Sequence, residues 1–333
     1  MVIDDRIIRD FDKIEDQYVT QSRQKLKGIF DEARDKEYKY IASAEEFSGD
    51  PFRGFKNCRA VAKNVFEITK DLNLDIKIIV YLRRQDDFIE SMYTQSIHLG
   101  GVKTFQEFIS DFDESHFNWY SLLCAYSDVF GKENIIVRRY HKAFLPHRNS
   151  LMHDFGEVVN SSLIANFSET VSKNRGLSRD ALELTRITNK HLHDEERYQL
   201  RKLFQEINSK NPFEKYSFFD NSERKDFLSN YKDSNSRVAK EFFGLQDDSL
   251  FPSPDNSETP PPYPGFTPEA MTVTLSRALL AVNYRAQKEN KKTAKRYRQS
   301  ILKYRIYDNI SEALSKYPSL KEKLKRLLGK KNN

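Results

Sequence analysis

The sequence predicts an α/β protein: a mostly parallel β-sheet flanked by helices, followed by a helical C-terminal part. Three observations carry this expectation. The run "DIKIIVYL" (75–82) is a continuous β-branched apolar stretch, the character of a parallel strand buried on both faces. "ENIIVRRY" (133–140) repeats that character further along the chain. Helix-length segments separate the two runs, and strands alternating with helices indicate βαβ units whose strands lie parallel.

In order, residues 4–36 read as helical. Ile7, Ile8, Phe11 and Ile14 stand at helical spacing, and a further helix is expected around 19–33. "YKYIAS" (38–43) reads as a short strand. After Pro51, residues 55–71 place Val61, Val65 and Ile68 on one face of an amphipathic helix. The 75–82 strand follows, then a helix over 87–99, short helices at 104–112 and 117–130, and a third strand at 133–140. Beyond about 145 the pattern is helical, at 178–192, 194–208 and 221–242. "FPSPDNSETPPPYPGFTP" (251–268) cannot pack as a regular element and reads as a loop or linker. The expected organisation is an α/β domain over 1–250, a Pro-rich linker at 251–267, and C-terminal helices with a basic tail over 268–333.

Composition narrows the class. Hydrophobic residues make up 38% of the 333, with 24 Phe and 17 Tyr, enough to fill a substantial core. No run approaches the eighteen or so consecutive apolar residues of a spanning helix. The acidic start "MVIDDRIIRDFDKIEDQY" lacks the apolar stretch of a signal peptide. With Cys58 and Cys124 the only cysteines, neither a disulfide framework nor a Cys-rich zinc site is implied, and a reducing, cytoplasmic setting fits. The seven histidines show no ligand spacing, so no metal is expected. Residues 284–333 hold 16 Lys/Arg against 4 Asp/Glu; the formal charge of +6 therefore splits into +12 there and −6 over the other 283 residues.

The most informative stretch is "KIIVYLRRQDDFIESMYTQ" (77–95), an apolar run that stops on two arginines. Ligands of open α/β sheets bind outside the carboxyl ends of the strands, where a loop leads into a helix. Arg83 and Arg84 stand at such an end. With Asp86 or Asp87 as the helix cap and Glu90 completing a capping box, Ser91 falls within about two turns of the helix start. A guanidinium can fork onto two oxygens of an anion while the hydroxyl donates to a third. The aspartates make the helix terminus itself a poor anion site, which leaves binding to the Arg and the Ser. The same spacing also describes surface arginines and an ordinary helical serine.

"YLRRQDDFIESMYTQ" resembles the 3′-phosphate-binding motif of sulfotransferases that use 3′-phosphoadenosine-5′-phosphosulfate (PAPS). There a hydrophobic strand ends in an Arg, and a Ser eight residues later sits on the next helix. The likeness continues in order through "IASAEEFSG" (41–49), "TFQEFI" (104–109), "YSDVFGKENIIVRRY" (126–140), "HDFGEVV" (153–159), "NRGLSRDAL" (174–182) and "SNYKDSNSRVAKEFF" (229–243). It implies a P-loop-related three-layer fold, PAPS as sulfuryl donor and adenosine 3′,5′-bisphosphate as product. It further implies that Arg83 and Ser91 contact the nucleotide's 3′-phosphate. Where such enzymes use a carboxylate base, Glu45 in "SAEE" is the candidate and Glu46 its neighbour. Lys173, Asn174 and Arg175, ahead of a helix that Ser178 is expected to cap, are candidates for the nucleotide or an anionic acceptor. Trp119 and Tyr120 are expected in the core rather than on a sugar or purine.

One element of the resemblance is missing. Sulfotransferases open with a strand and a Gly-rich, Lys-containing loop that holds the 5′-phosphosulfate, yet residues 1–37 contain a single glycine, Gly28. "GGVKT" (100–104) follows a helix and reads as an inter-helix turn. Two expectations follow: a member lacking its first βα unit, or a relative that is an inactive scaffold or binding module. The acceptor class implied is a glycan, a glycolipid or a small molecule. The tail, with Lys and Arg interleaved with Tyr, Ile and Leu, suits peripheral contact with an anionic membrane face or another polyanion. Nucleic acid is the weaker partner, because the main body is acidic.

Overall fold

The computed structural model describes residues 16–31, 40–145, 150–165, 176–207, 217–247, 249–253 and 265–316. The chain divides into two compact units. One comprises residues 1–201 and 211–266, the other residues 202–210 and 267–333.

The first unit is α/β and mostly helical. Its helices α1 (Asp16–Asp31) and α2 (Cys58–Thr69) precede strand β1 (Ile78–Leu82). Helices α3 (Gln85–His98), α4 (Phe105–Ile109) and α5 (Trp119–Phe130) then lead to β2 (Ile135–Arg139). Further along are α6 (Leu151–Val158), α7 (Ser162–Ala165), α8 (Arg179–Asn189) and α9 (Asp194–Ile207), whose last turn and a half belongs to the second unit. Helices α10 (Asn221–Ser229) and α11 (Lys232–Phe243) follow. The second unit is dominated by α12 (Pro268–Lys316), 49 residues long.

β1 and β2 pair in parallel, with Ile78 opposite Ile135 and Leu82 opposite Arg139. The ladder runs one bond further, Tyr140 N donating to Leu82 O at 2.7 Å. The β1–α3–α4–α5–β2 course is the βαβ unit that the alternation of patterns predicts. The expected burial of β1 on both faces is not what is found: Ile78 to Tyr81 are half-buried and only Leu82 is buried. The strand is also shorter at its start, because Asp75 and Lys77 pair with each other at 3.2 Å as solvent-facing groups. Among the described residues the sheet has these two strands.

Other expectations are corrected. Residues 40–43 form no strand; Tyr40 and Ile41 are exposed, and no ladder satisfies their backbone. Residues 4–14, 38 and 39 lie outside the described residues. The helix expected over 221–242 is two, because the chain turns at Asn230 to bury Tyr231, which is 2% exposed. Conversely, the C-terminal helix and the basic segment after it are one continuous helix as far as Lys316.

Two clusters hold the first unit. Leu26 of α1 meets Val61 and Ile68 of α2, with Phe30, Phe47 and Val65 packed around them. An aromatic cluster closes over the exit of β1. Phe55, Phe88 and Trp119 lie with ring centroids 5.6–5.8 Å apart, and Phe117 joins them at 5.5 Å from Phe88. Edge-to-face and tilted pairs of this kind add to the area term of burial. Trp119 is therefore a core residue, as expected. Its Nε1 donates to Arg83 O at 2.9 Å, so the cluster also fixes the backbone where β1 turns into α3.

Candidate functional site

The two arginines that end β1 have separate fates. Arg84 occupies the N-cap position of α3 with extended backbone, φ −60° and ψ 137°. Its guanidinium forks onto Asp86, Nε to Oδ1 at 2.7 Å and NH2 to Oδ2 at 2.9 Å, and NH1 reaches the carbonyl of Pro252 at 3.2 Å. Asp86, fully buried, also accepts from Arg224 of α10. Arg224 donates in addition to Ser217 Oγ at 2.7 Å and lies 3.3 Å from Glu90. Glu90 accepts from Ser217 Oγ at 2.9 Å and from the backbone N–H of Phe218 at 2.6 Å. Beside them, Gln85 and Asn235 of α11 exchange two amide hydrogen bonds, at 2.8 and 3.1 Å. The start of α3 is thus bolted to α10, α11 and the turn at 217–219.

This corrects the expected capping. The helix starts at Gln85 with Arg84 at the N-cap, two positions ahead of Asp86 and three ahead of Asp87, and no side chain caps it. Asp86 neutralises two arginines, and Glu90 serves the 217–219 turn. The electrostatics agree. Burial would push the Asp86 carboxyl up, but the hydrogen bonds and charges of Arg84 and Arg224 outweigh it and hold the group below its ordinary value. At Glu90 burial prevails, and the carboxyl is raised despite Arg224 and the donors of the turn.

Arg83 is different. It is half-buried, and its guanidinium has no hydrogen bond or ion pair among the described residues. Ser91 is exposed, and its hydroxyl likewise has no partner among them. Ser91 lies two helical turns beyond Arg84, roughly 10 Å along the axis, on the stripe it shares with Asp87 and Gln95. A helical Ser or Thr usually returns its hydroxyl to the carbonyl one turn back. Thr94 of this helix does so, to Glu90 O at 3.1 Å, whereas Ser91 does not. Arg83 and Ser91 are thus without partners among the described residues, while Arg84, Asp86, Glu90 and Arg224 engage one another. The half-buried Arg139 at the end of β2 reaches the Leu250 carbonyl at 3.4 Å and lies over the Phe144 ring. Asp87 lies 3.8 Å from Arg84 and 3.9 Å from Arg224, which screens its charge from this corner.

The remaining candidates fall elsewhere. Glu45 and Glu46 open a 3₁₀ turn (Glu45–Ser48) rather than ending a strand; Glu45 is exposed and Glu46 half-buried. The turn is anchored by Phe47, whose carbonyl accepts from the hydroxyl of the buried Tyr126. Neither glutamate has a hydrogen bond or ion pair with Arg83 or Ser91. Lys173, Asn174 and Arg175 lie outside the described residues. Ser178 caps α8 as expected, accepting from Ala181 N at 3.3 Å. Tyr120 is half-buried on the surface of α5, with Arg237 stacked 3.6 Å from its ring centre. The "GGVKT" segment is the turn between α3 and α4. Its Lys103 is paired with Asp111 at 2.6 Å, and its Thr104 forms a capping box with Glu107. That carboxylate fills the position an anion would take. Among the described residues no group of His, Cys, Asp and Glu is arranged to hold a metal.

No protein-family model matches the chain, and no solved structure matches it. Among curated proteins it is similar to one from Archaeoglobus fulgidus described as an uncharacterized protein, with 27% identity over 185 residues. Those residues are 55% of this chain and 50% of the relative, so the chain spans about half the length of the curated relative it matches. The functional reading therefore rests on the site residues themselves.

Two outcomes are expected. In urea unfolding, Arg84→Ala lowers stability by about 1–3 kcal/mol, because it strips hydrogen bonds from a buried carboxylate. Arg83→Ala changes stability by less than about 0.5 kcal/mol, as for an unengaged side chain. The second outcome concerns pH. A carboxyl held below its unfolded value contributes stability that is complete above the ordinary aspartate range and lost as pH falls through the folded value. Stability followed from about pH 7 to about pH 3 should fall less steeply in Asp86→Asn than in the wild type. Glu90, shifted the other way, opposes this trend rather than causing it.

Proposed function

We propose that the chain is a sulfotransferase-type protein that binds the adenosine 3′,5′-bisphosphate moiety of PAPS, with Arg83 and Ser91 holding the 3′-phosphate. The supporting observation is the asymmetry at the end of β1: two adjacent arginines, one consumed by a buried carboxylate and one left free with an unpartnered serine hydroxyl on the next helix. A phosphate dianion suits this corner. It accepts the fork of Arg83 on two oxygens and the Ser91 hydroxyl on a third. The carboxyl-end location is the ligand-binding edge of open α/β sheets. A three-layer sulfotransferase architecture is part of this proposal, built around the β1–β2 pair.

The reaction assigned by this reading moves a sulfuryl group to a hydroxyl or amine of an acceptor, most naturally a glycan or glycolipid. In such a transfer the acceptor oxygen or nitrogen bonds to sulfur as the sulfur–oxygen bond to the nucleotide's 5′-phosphate breaks, and a base takes the acceptor proton. Glu45 and Glu46, both without an ion pair among the described residues, are the carboxylates assigned to that proton. On this reading Arg83 and Ser91 are the contacts for the 3′-phosphate, and the described residues include no Gly-rich loop for the phosphosulfate. This favours a second reading, a nucleotide-binding or scaffold protein of the same type that does not transfer sulfate.

Calorimetric titration of the full chain with adenosine 3′,5′-bisphosphate tests the proposal. Micromolar binding is expected, weakened about tenfold or more by Arg83→Ala, since a charge-assisted fork contributes about 1.5–3 kcal/mol. Absence of binding in a folded chain rejects the nucleotide site. Binding without sulfate transfer from PAPS to any acceptor supports the second reading. Transfer lost in Glu45→Gln or Glu46→Gln with binding retained supports the first.

A further inference from the structure

The second unit carries a feature that the nucleotide site does not use. Along α12, Leu275, Leu279, Val282, Tyr297, Ile301 and Tyr304 stand in one row, connected through Ala286, Asn290 and Thr293. The steps along this row are 4, 3, 4, 4, 3, 4, 4 and 3 residues, an eleven-residue repeat. Eleven residues in three turns give a period of about 3.67, close to the 3.6 of a straight helix, so the row stays on one face for its whole length. That face is open: Leu279 is 72% exposed, Tyr297 67% and Tyr304 75%. The buried positions of the helix, Thr274 and Ala278, lie on another side, as does Arg285, tied to Glu206 of the same unit at 2.6 Å.

Charge is arranged around this row. Between residues 284 and 305 stand nine Lys/Arg against one acid, Glu289. At about 100° per residue, each of these cations lies roughly 80° or more from the row. Lys292 pairs with Glu289 at 3.7 Å and Arg285 with Glu206. The other seven have no acidic partner among the described residues. Tyr284 and Leu302 are the large side chains of this stretch that stand off the row, among the cations.

We infer that α12 lies along the surface of an anionic lipid bilayer, its apolar row seated at the headgroup boundary and its flanking cations on lipid phosphates. A helix with an apolar row bordered by Lys and Arg, and with aromatic residues in the row, is the form of an interfacial helix. No helix of the described residues is long and apolar enough to cross a membrane, so this one lies on the surface. The alternatives satisfy one half of the pattern only. A partner helix would cover the apolar row and leave the bordering cations without counter-charge, and a second copy would bring two strongly basic helices together. A nucleic acid would engage the cations and leave the apolar row uncovered.

Co-sedimentation of the full chain with vesicles tests this. The chain should pellet with phosphatidylcholine vesicles containing phosphatidylglycerol and remain in solution with pure phosphatidylcholine. Each of Arg296→Gln, Lys303→Gln and Arg305→Gln, the cations that border the row, should lower the partition coefficient about fivefold. Leu279→Ser with Ile301→Ser should lower it about tenfold or more, whereas Leu280→Ser with Leu302→Ser, off the row, should leave it within about twofold. All these positions are exposed, so circular dichroism is expected to be unchanged. The inference is overturned if anionic vesicles are not bound, or if the on-row and off-row pairs lose binding equally. It is also overturned if a DNA duplex is bound tightly, with no effect of the on-row pair, while vesicles are not.

Discussion

Asp86 is the constraint on which the first unit's working end depends. A carboxylate with no solvent exposure is costly unless it is fully paired, and here Arg84 and Arg224 meet it from two sides. Arg224 is reached only because α10 follows the 217–219 turn, which Glu90 in turn holds through Ser217 and Phe218. One buried charge thereby ties the start of α3 to a helix 138 residues further along the chain. Such a network gives little net stability compared with apolar packing, whereas removal of one partner leaves a buried charge uncompensated.

That arrangement gives two neighbouring arginines different environments. Arg84 turns inward to Asp86; Arg83 is left half-buried, its backbone held by Trp119 and its guanidinium uncommitted. A rigid backbone with a free cation is what anion recognition needs, because little order has to be imposed when the ligand arrives. The second unit shows a similar contrast along a single helix, a buried side around Thr274 and Ala278 and an open apolar row bordered by cations.

The parts legible in the sequence were those whose signals are local. Parallel strands at 78–82 and 135–139 followed from runs led by β-branched residues, and the helix start at Ser178 carries the residue that caps it. The capping of α3 was misassigned because an Asp near a helix start has two uses, cap or ion pair. The choice between them lay in Arg224, more than a hundred residues away in a charged helix with no distinctive pattern. The same holds for Asn235 opposite Gln85. "YKYIAS" had strand character but found no neighbouring strand among the described residues, which removes Glu45 and Glu46 from the end of a sheet. Tyr231 broke a predicted helix because its burial, not its propensity, decided the local turn. The eight-residue spacing to Ser91 pointed to Arg83 over Arg84, but that Arg84 is held by the buried Asp86 was not legible in it.

The central claim, that Arg83 rather than Arg84 reads a 3′-phosphate, is tested most directly by a comparison of two ligands. Affinities for adenosine 3′,5′-bisphosphate and adenosine 5′-monophosphate, measured in the wild type and in Arg83→Ala, give the preference for the 3′-phosphate in each. The account predicts a wild-type preference of about tenfold or more that collapses toward unity in the variant. An equal preference in both proteins would contradict it.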